Sequence, residues 1–135
     1  VSPSIIVALY NMNVKRIFIS NRTISKAQNL KKTFSNLEIV KWGIIPDFDM
    51  IINSTSVGLK NDENISIDYS KIDSDKFFYD VIYNPSETNF LRSARKNGNK
   101  IENGKKMFVY QAQASFKIWN KLQPEINENV MEILN

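Results

Sequence analysis

Two basic side chains lie beside the predicted start of a helix, where they could bind an anion. The run Val14–Ser20 (VKRIFIS) is rich in β-branched and aromatic residues, which is typical of a strand. Asn21-Arg22-Thr23 follows it, and Lys26 lies one helical turn further on. Thr23 can cap the helix, and the free backbone N–H groups at a helix start favour a phosphate or a carboxylate. An ordinary capped helix with two surface cations is the alternative.

Small and polar residues follow two further apolar runs. The segment STSVG, with Thr55 and Ser56, comes after Phe48–Asn53, and Tyr83 ends the run Lys76–Tyr83. Short hydroxylated residues beside a glycine let the backbone approach a flat ligand closely, although a hydrophilic turn would have the same composition. A tyrosine at the end of a strand can reach a crevice with its hydroxyl, or it can pack at the edge of the core.

A strongly apolar helix is predicted over Lys105–Asn120. Met107 and Gln111 are four residues apart, so they share one face of this helix. Gln111 is either a buried amide with satisfied hydrogen bonds or a polar group in a ligand cleft. The residues expected to face the core are Phe108, Ala112 and Trp119.

Helical and strand patterns alternate along the chain, which predicts an α/β fold with a doubly wound parallel sheet. Ligands of such sheets bind beyond the carboxyl ends of the strands, where the polar segments described above would lie. In dinucleotide-binding folds, an acidic residue near Arg22 would bind the ribose of NAD, whereas an arginine accommodates the 2′-phosphate of NADP. No acidic residue stands here, and Arg22 and Lys26 offer two cations.

Further elements complete the predicted architecture. A helix over Thr88–Asn97 directs Phe90, Leu91 and Ala94 inward and stops at Gly98. Pro124 opens a final amphipathic helix over 124–134, which carries Ile126, Val130, Ile133 and Leu134. The other elements are helices at Ser4–Asn11 and after Thr23 (apolar at Ile24, Ala27, Leu30 and Phe34), and strands at Leu37–Trp42 and Lys100–Glu102.

The composition restricts the chemistry of the chain. Its 135 residues include no cysteine and no histidine, which excludes disulfides, thiol nucleophiles and imidazole bases, and no metal site is expected. The net charge of +4 comes from dispersed basic residues, which favours a solvated surface over a nucleic-acid interface. No apolar run is long enough for a membrane span, and we expect a cytoplasmic location.

Four segments, in this order, resemble the cofactor-binding half of the shikimate dehydrogenase family. They are NRTISKAQNL, DMIINSTSVGL, FFYDVIYNPSETNFLRSARKNG and NGKKMFVYQAQASFKIW. The resemblance covers nearly the whole chain. It implies a Rossmann-like domain over 1–135 that binds NADP, in an enzyme that reduces 3-dehydroshikimate to shikimate with NADPH during the biosynthesis of chorismate and the aromatic amino acids.

The resemblance also implies a role for each matching position. The clamp for the adenosine 2′-phosphate would be Asn21, Arg22, Thr23 and Lys26. Other cofactor contacts would come from Thr55, Ser56, Val81, Gly104 and Met107. The substrate contacts would be Tyr83 and Gln111.

Several departures from the family's pattern affect these expectations. The four glycines are too dispersed for the family's glycine-rich phosphate loop, which together with the first central strand would lie just upstream of Val1. The family's catalytic lysine and aspartate belong to a separate N-terminal domain, so no catalytic residue is predicted in this chain. Lys106 stands where the family often has a small or apolar residue. We expect the isolated chain to be inactive and unstable. The final helix could pack on the missing domain, on its own sheet or on a second subunit.

Two alternatives to this function stay open at the level of sequence. One is a quinate/shikimate dehydrogenase that uses NAD. The other is a non-catalytic nucleotide-binding module derived from the enzyme. The expected partners are a small-molecule substrate and the N-terminal catalytic domain, without nucleic acid or membrane, and the oligomeric state is left open.

Overall fold

A computed structural model describes residues 1–60 and 63–133 of the chain. The chain divides into two compact units, Val1–Asp47 and Phe48–Asn135. Each unit is described by itself below. No helix within the described residues is long and apolar enough to cross a membrane.

The first unit is a short parallel βαβ arrangement preceded by a helix. Helix α1 spans Ser2–Asn11, strand β1 Ile17–Ile19, helix α2 Ile24–Thr33 and strand β2 Leu37–Ile39. The two strands are parallel, with Ile17 opposite Leu37 and Ile19 opposite Ile39. Ile6 of α1 is buried with Ile17 and Leu37, and these three side chains form the core of the unit. The helices and strands of this unit therefore each turn an apolar face toward a common core.

Local hydrogen bonds explain why both strands are shorter than predicted. Asn13 has a left-handed backbone (φ 56°), and the N–H of Val14 donates to the carbonyl of Leu9, so the chain is still leaving α1 there. After β2, Ile44 N–H donates to the carbonyl of Lys41, which turns the chain. The predicted strands at Val14–Ser20 and Leu37–Trp42 thus each keep only three residues.

The second unit contains a three-stranded parallel sheet in the order β3-β4-β5. Its strands are Met50–Asn53, Phe77–Asp80 and Lys100–Glu102. A 3-10 helix at Tyr69–Lys71 lies in the connection between β3 and β4, and helix α3 (Asn89–Lys96) joins β4 to β5. Helices α4 (Lys105–Asn120) and α5 (Glu128–Glu132) follow.

An aromatic cluster forms the core of the second unit. Phe78 of β4 is completely buried, and its ring lies 5.7 Å from Phe48, 5.9 Å from Tyr69 and 5.3 Å from Phe90, measured between centroids. Leu91 and Ala94 of α3 are buried in the same cluster. The predicted inward face of this helix is therefore confirmed, and the left-handed Gly98 (φ 81°) follows its end as expected.

The predicted fold class is confirmed, because parallel strands alternate with helices in a Rossmann-like order. The strands of the described residues form two sheets, one in each unit. The bounds of β5 and α4 agree with the prediction, whereas β3 and β4 are each shorter than the apolar runs that contain them.

Two predictions for the last helices are wrong. The final helix begins at Glu128 and not at Pro124, because Asn127 caps it through the N–H of Val130, whereas the Pro124 carbonyl accepts a hydrogen bond from Gln113 of α4. Residue 134, which the prediction included, lies outside the described residues. On α4 the expected core residues Phe108, Ala112 and Trp119 are all exposed, and Val109 is buried instead. The aromatic core of the second unit is built around β4 and α3, and Val109 is the one buried residue of α4.

We expect Phe78→Ala to lower the free energy of unfolding of the second unit by about 3–5 kcal/mol, since the ring is fully enclosed by three other aromatic rings. Urea denaturation measures this loss. Phe116→Ala is the matched control, because Phe116 is 43% exposed on α4. Equal losses in the two variants would contradict this account of the core.

Candidate functional site

The start of α2 in the first unit presents two cations. Asn21 accepts a hydrogen bond from the N–H of Thr23 (2.8 Å), which closes a tight turn between β1 and the helix. Thr23 is the N-cap residue, but its hydroxyl does not cap the helix. Arg22 and Lys26 are exposed and form no ion pair within the described residues, and the first turn of α2 contains no acidic side chain. The electrostatics of this helix start therefore favour an anion.

In the second unit, the buried amide of Asn53 organises the loop after β3. Its Oδ1 accepts hydrogen bonds from the backbone N–H of Thr55 (3.0 Å) and from the Thr55 hydroxyl (2.7 Å). Its Nδ2 donates to the carbonyl of Val57 (3.0 Å). Thr55 Oγ1 in turn accepts the N–H of Val57 (3.1 Å), and Ser56 lies exposed between them. These bonds fix the backbone on either side of Ser56.

Asp80, at the end of β4, is the centre of a buried polar network. Its Oδ1 accepts hydrogen bonds from Asn53 Nδ2 (3.1 Å) and from the N–H of Ile82 (3.0 Å). Its Oδ2 accepts a hydrogen bond from the hydroxyl of Thr88 (2.7 Å). Thr88 is the N-cap residue of α3, and its hydroxyl oxygen accepts the N–H of Leu91. One carboxylate therefore ties together the ends of two strands and the start of a helix.

Burial raises the pKa of Asp80 above its ordinary value, because the charged carboxylate is withdrawn from water. The hydrogen bonds from Ile82, Thr88 and Asn53 oppose this effect, since all three groups donate to the ionised form. The pKa of Asp80 therefore reflects two opposed effects: burial favours the protonated carboxyl group, and the hydrogen bonds favour the ionised one.

The start of α4 lies directly against the exit of β4. A Cβ atom on Gly104 would stand 2.0 Å from the carbonyl oxygen of Val81, so only glycine fits at this position. The N–H of Gly104 donates to the carbonyl of Ile82 (3.1 Å), and its own carbonyl accepts the N–H of Phe108 (2.9 Å). The result is a close backbone contact between a strand end and a helix start, without side chains between them.

Tyr83 and Phe108 form an aromatic pair beside this contact. Their ring centroids are 4.6 Å apart and their planes are inclined by 26°, which is a stacked arrangement. Tyr83 is 37% exposed and Phe108 39% exposed. Met107 is half-buried, and Gln111 is exposed, so the interpretation of Gln111 as a buried and satisfied amide is wrong.

The structure brings the predicted site residues together in two groups. Asn21, Arg22, Thr23 and Lys26 share the start of α2. In the second unit the others lie at the ends of β3 and β4 and on the first turns of α4; they are Thr55, Ser56, Val81, Tyr83, Gly104, Met107 and Gln111. No described group of three acidic, histidine or cysteine side chains could hold a metal ion.

Sequence reasoning missed the residues that position this site. Asn53, Asp80 and Thr88 are buried polar side chains, and none of them was singled out as functional. The available signal was the occurrence of polar residues at the ends of strands that are otherwise apolar, since a buried polar group requires partners.

Comparison with known proteins gives a consistent family. No family model matches the sequence. The NADP(+) shikimate dehydrogenase of Pelagibacter ubique is 55% identical over 132 residues, which are 98% of this chain and 50% of that enzyme. The chain spans about half the length of the curated relatives it matches.

Two solved structures show the likeness of the fold. A shikimate dehydrogenase in complex with NADP+ has 33% identity and a TM-score of 0.77, with 88% of this chain and 45% of that chain covered. Quinate dehydrogenase from Corynebacterium glutamicum, in complex with NAD, has 25% identity and a TM-score of 0.78, with 93% and 48% covered. Both likenesses extend over most of this chain.

The raised pKa of Asp80 predicts a particular dependence of stability on pH. In the window between its unfolded and folded pKa values, the folded state binds the proton more tightly, so stability should fall as the pH rises through that window. Asp80→Asn removes this component. The free energy of unfolding of the parent, relative to the variant, should therefore decrease from about pH 4 upwards in urea titrations.

Asp68 supplies a control of opposite sign. Hydrogen bonds from Ser70 and Lys71 lower the pKa of Asp68, so its contribution to stability is present above the unfolded pKa and is lost as the pH falls. Asp68→Asn should change the pH dependence in the opposite direction. A parent that gains stability relative to Asp80→Asn with rising pH would contradict the assignment.

Proposed function

Because this chain belongs to the shikimate dehydrogenase family, we propose that it is the NADP-binding part of an enzyme that interconverts 3-dehydroshikimate and shikimate. When bound, the reduced cofactor would supply the hydride for the carbonyl group of the substrate. This reaction would belong to the biosynthesis of chorismate and the aromatic amino acids, and we propose a cytoplasmic enzyme.

The observation that carries the preference for NADP is the pair of exposed cations at the start of α2. Arg22 and Lys26 flank free backbone N–H groups, and an acidic side chain, which would repel a 2′-phosphate, is absent from the first turn. A guanidinium and an ammonium can both donate to phosphate oxygens. Asn21 and Thr23 complete this clamp, since the Asx turn from Asn21 to Thr23 fixes the backbone around Arg22.

The second unit would hold the nicotinamide end of the cofactor. Gly104 packs directly against the carbonyl of Val81, which fixes the start of α4 beside the exit of β4, where we propose that the nicotinamide ring binds. Met107 is on the first turns of the same helix, and its flexible thioether can adapt to the ring. Thr55 and Ser56 lie on the loop that Asn53 fixes, and we propose that they line the cofactor.

Tyr83 and Gln111 are the proposed substrate contacts of this part of the enzyme. Both side chains are exposed, and both offer hydrogen-bonding groups that suit a polyhydroxylated carboxylic acid. Neither is proposed as the proton donor. We assign the proton chemistry to an N-terminal domain with a lysine and an aspartate, and no catalytic residue to this chain.

The exposed apolar side chains of α4 support the proposal that another part of the protein covers this helix. Tyr110, Ile118 and Trp119 are 58%, 67% and 78% exposed, which is a costly surface to leave in water. We propose that part of this exposed surface and the last helix, α5, pack on the N-terminal domain. The region 1–135 would then act as one cofactor-binding domain of the complete enzyme.

A second candidate is a quinate/shikimate dehydrogenase that uses NAD. The likeness to the NAD complex of a quinate dehydrogenase favours it. The two cations favour NADP, because NAD has no 2′-phosphate for them to bind. The relative affinities for the two cofactors therefore distinguish the candidates.

We expect Arg22→Ala, in the complete enzyme, to weaken the binding of NADP about 10- to 100-fold, since a hydrogen bond to a charged group contributes about 1.5–3 kcal/mol. The affinity for NAD should stay within twofold. Isothermal titration with each cofactor measures both values. Lys26→Ala should act in the same direction with a smaller effect, because an ammonium lacks the bidentate geometry of arginine.

Lys31→Ala is the matched control for these variants. Lys31 lies in the last turn of α2, at the opposite end from the proposed clamp, so its loss should leave both affinities unchanged. Equal affinities of the parent for NADP and NAD would instead favour the second candidate.

We expect the isolated 135-residue chain to give no turnover with NADP and shikimate, because it carries none of the proposed proton-transfer groups. A steady-state assay that follows NADPH absorbance measures this. The positive control is the complete enzyme at the same concentration. Clear turnover by the isolated chain would contradict the proposed division of labour.

A further inference from the structure

We propose that Phe108 is a positioning residue that holds Tyr83 in place for the substrate, an inference that rests on the proposed function. Phe108 was expected in the core from its place on α4. It is instead 39% exposed and stacked on the ring of Tyr83. Its ring therefore lies against Tyr83 and outside the aromatic core of the second unit.

The geometry of the stack is specific. Ring centroids 4.6 Å apart and planes inclined by 26° place the two faces against each other, within the range of favourable offset stacking. Tyr83 stands on the segment that leaves β4, where 37% of its surface remains exposed. An exposed side chain on such a segment would otherwise sample several rotamers. The ring of Phe108 covers one of its faces and restricts that freedom.

The backbones that carry the two rings are joined rigidly. Ile82, the residue before Tyr83, donates its N–H to Asp80 and accepts a hydrogen bond from Gly104 (3.1 Å). The carbonyl of Gly104, the N-cap residue of α4, in turn accepts the N–H of Phe108 in the first turn of that helix. Because the bare Gly104 touches Val81, neither backbone can shift toward the other. The backbone is therefore fixed beneath both rings of the stack.

This arrangement predicts which kinetic constant depends on Phe108. A better-positioned Tyr83 binds the substrate equally well before and during the reaction, so its loss should raise KM for shikimate and leave kcat unchanged. The cofactor contacts at Val81, Gly104 and Met107 do not involve the Phe108 ring in this proposal, so KM for NADP should also stay unchanged. A loss of folded protein would lower the apparent kcat instead.

The test compares Phe108→Leu, which keeps an apolar side chain without a ring, with Phe108→Tyr, which keeps the ring, both in the complete enzyme. Phe108→Leu should raise KM for shikimate about three- to tenfold, and Phe108→Tyr should stay within twofold of the parent. Lys96→Ala, at the exposed end of α3, is the control and should change nothing.

A second measurement reports on the stack itself. With 3-fluorotyrosine incorporated, the fluorine resonance of Tyr83, assigned through Tyr83→Phe, should shift in Phe108→Leu because the ring current of Phe108 is lost. It should stay close to its parental position in Lys96→Ala. An unchanged resonance in Phe108→Leu would show that the rings are not stacked and would overturn the inference.

The kinetic outcomes separate this inference from the proposed function. If the parent oxidises shikimate but Phe108→Leu keeps its KM, or if Phe108→Tyr raises KM equally, the positioning role is wrong while the function stands. If the parent shows no shikimate-dependent reduction of NADP, the proposed function is wrong and the role falls with it. A drop in kcat at unchanged KM would assign Phe108 a purely structural role and overturn the inference.

Discussion

A buried carboxylate at the end of β4 holds together the edge of the second unit that carries the candidate site. Asp80 is completely buried and accepts hydrogen bonds from Asn53, Ile82 and Thr88, which belong to three different segments of the chain. A buried charge is tolerated only when its hydrogen bonds are satisfied, so each of these segments must keep its place. The loop after β3, the exit of β4 and the start of α3 are therefore positioned by one side chain.

A steric constraint adds to this electrostatic one. Gly104 touches the carbonyl of Val81 so closely that a methyl group has no space, and its N–H is bonded to Ile82. The hydrogen bond to Asp80 fixes Ile82, and the hydrogen bond from Gly104 to the carbonyl of Ile82 fixes the start of α4. Rigid placement of this kind suits the proposed site, in which Tyr83 would be held at a defined position beside the cofactor.

The predictability of the elements follows from where their stabilising contacts lie. Helix α3 was predicted to within one residue at each end, because the cap Thr88, the inward residues and the following glycine are close in sequence. Strand β1 begins after the turn that leaves α1, and β4 ends where Asp80 accepts the N–H of Ile82. The apolar runs of the sequence do not reveal either contact. The face of α4 was predicted wrongly, because an apolar stripe does not say whether the core has room for it.

The sequence by itself determined the fold class, the resemblance to a family and the order of the candidate residues, because hydrophobic periodicity and local motifs lie in consecutive positions. It also placed Arg22 and Lys26 at a helix start, since capping is local. Only the tertiary structure decided that Asp80 is the centre of a network, that Gly104 touches Val81, and that Phe108 stacks on Tyr83. These contacts join residues that are far apart in the chain or on different elements, and their geometry depends on how the strand and the helices pack.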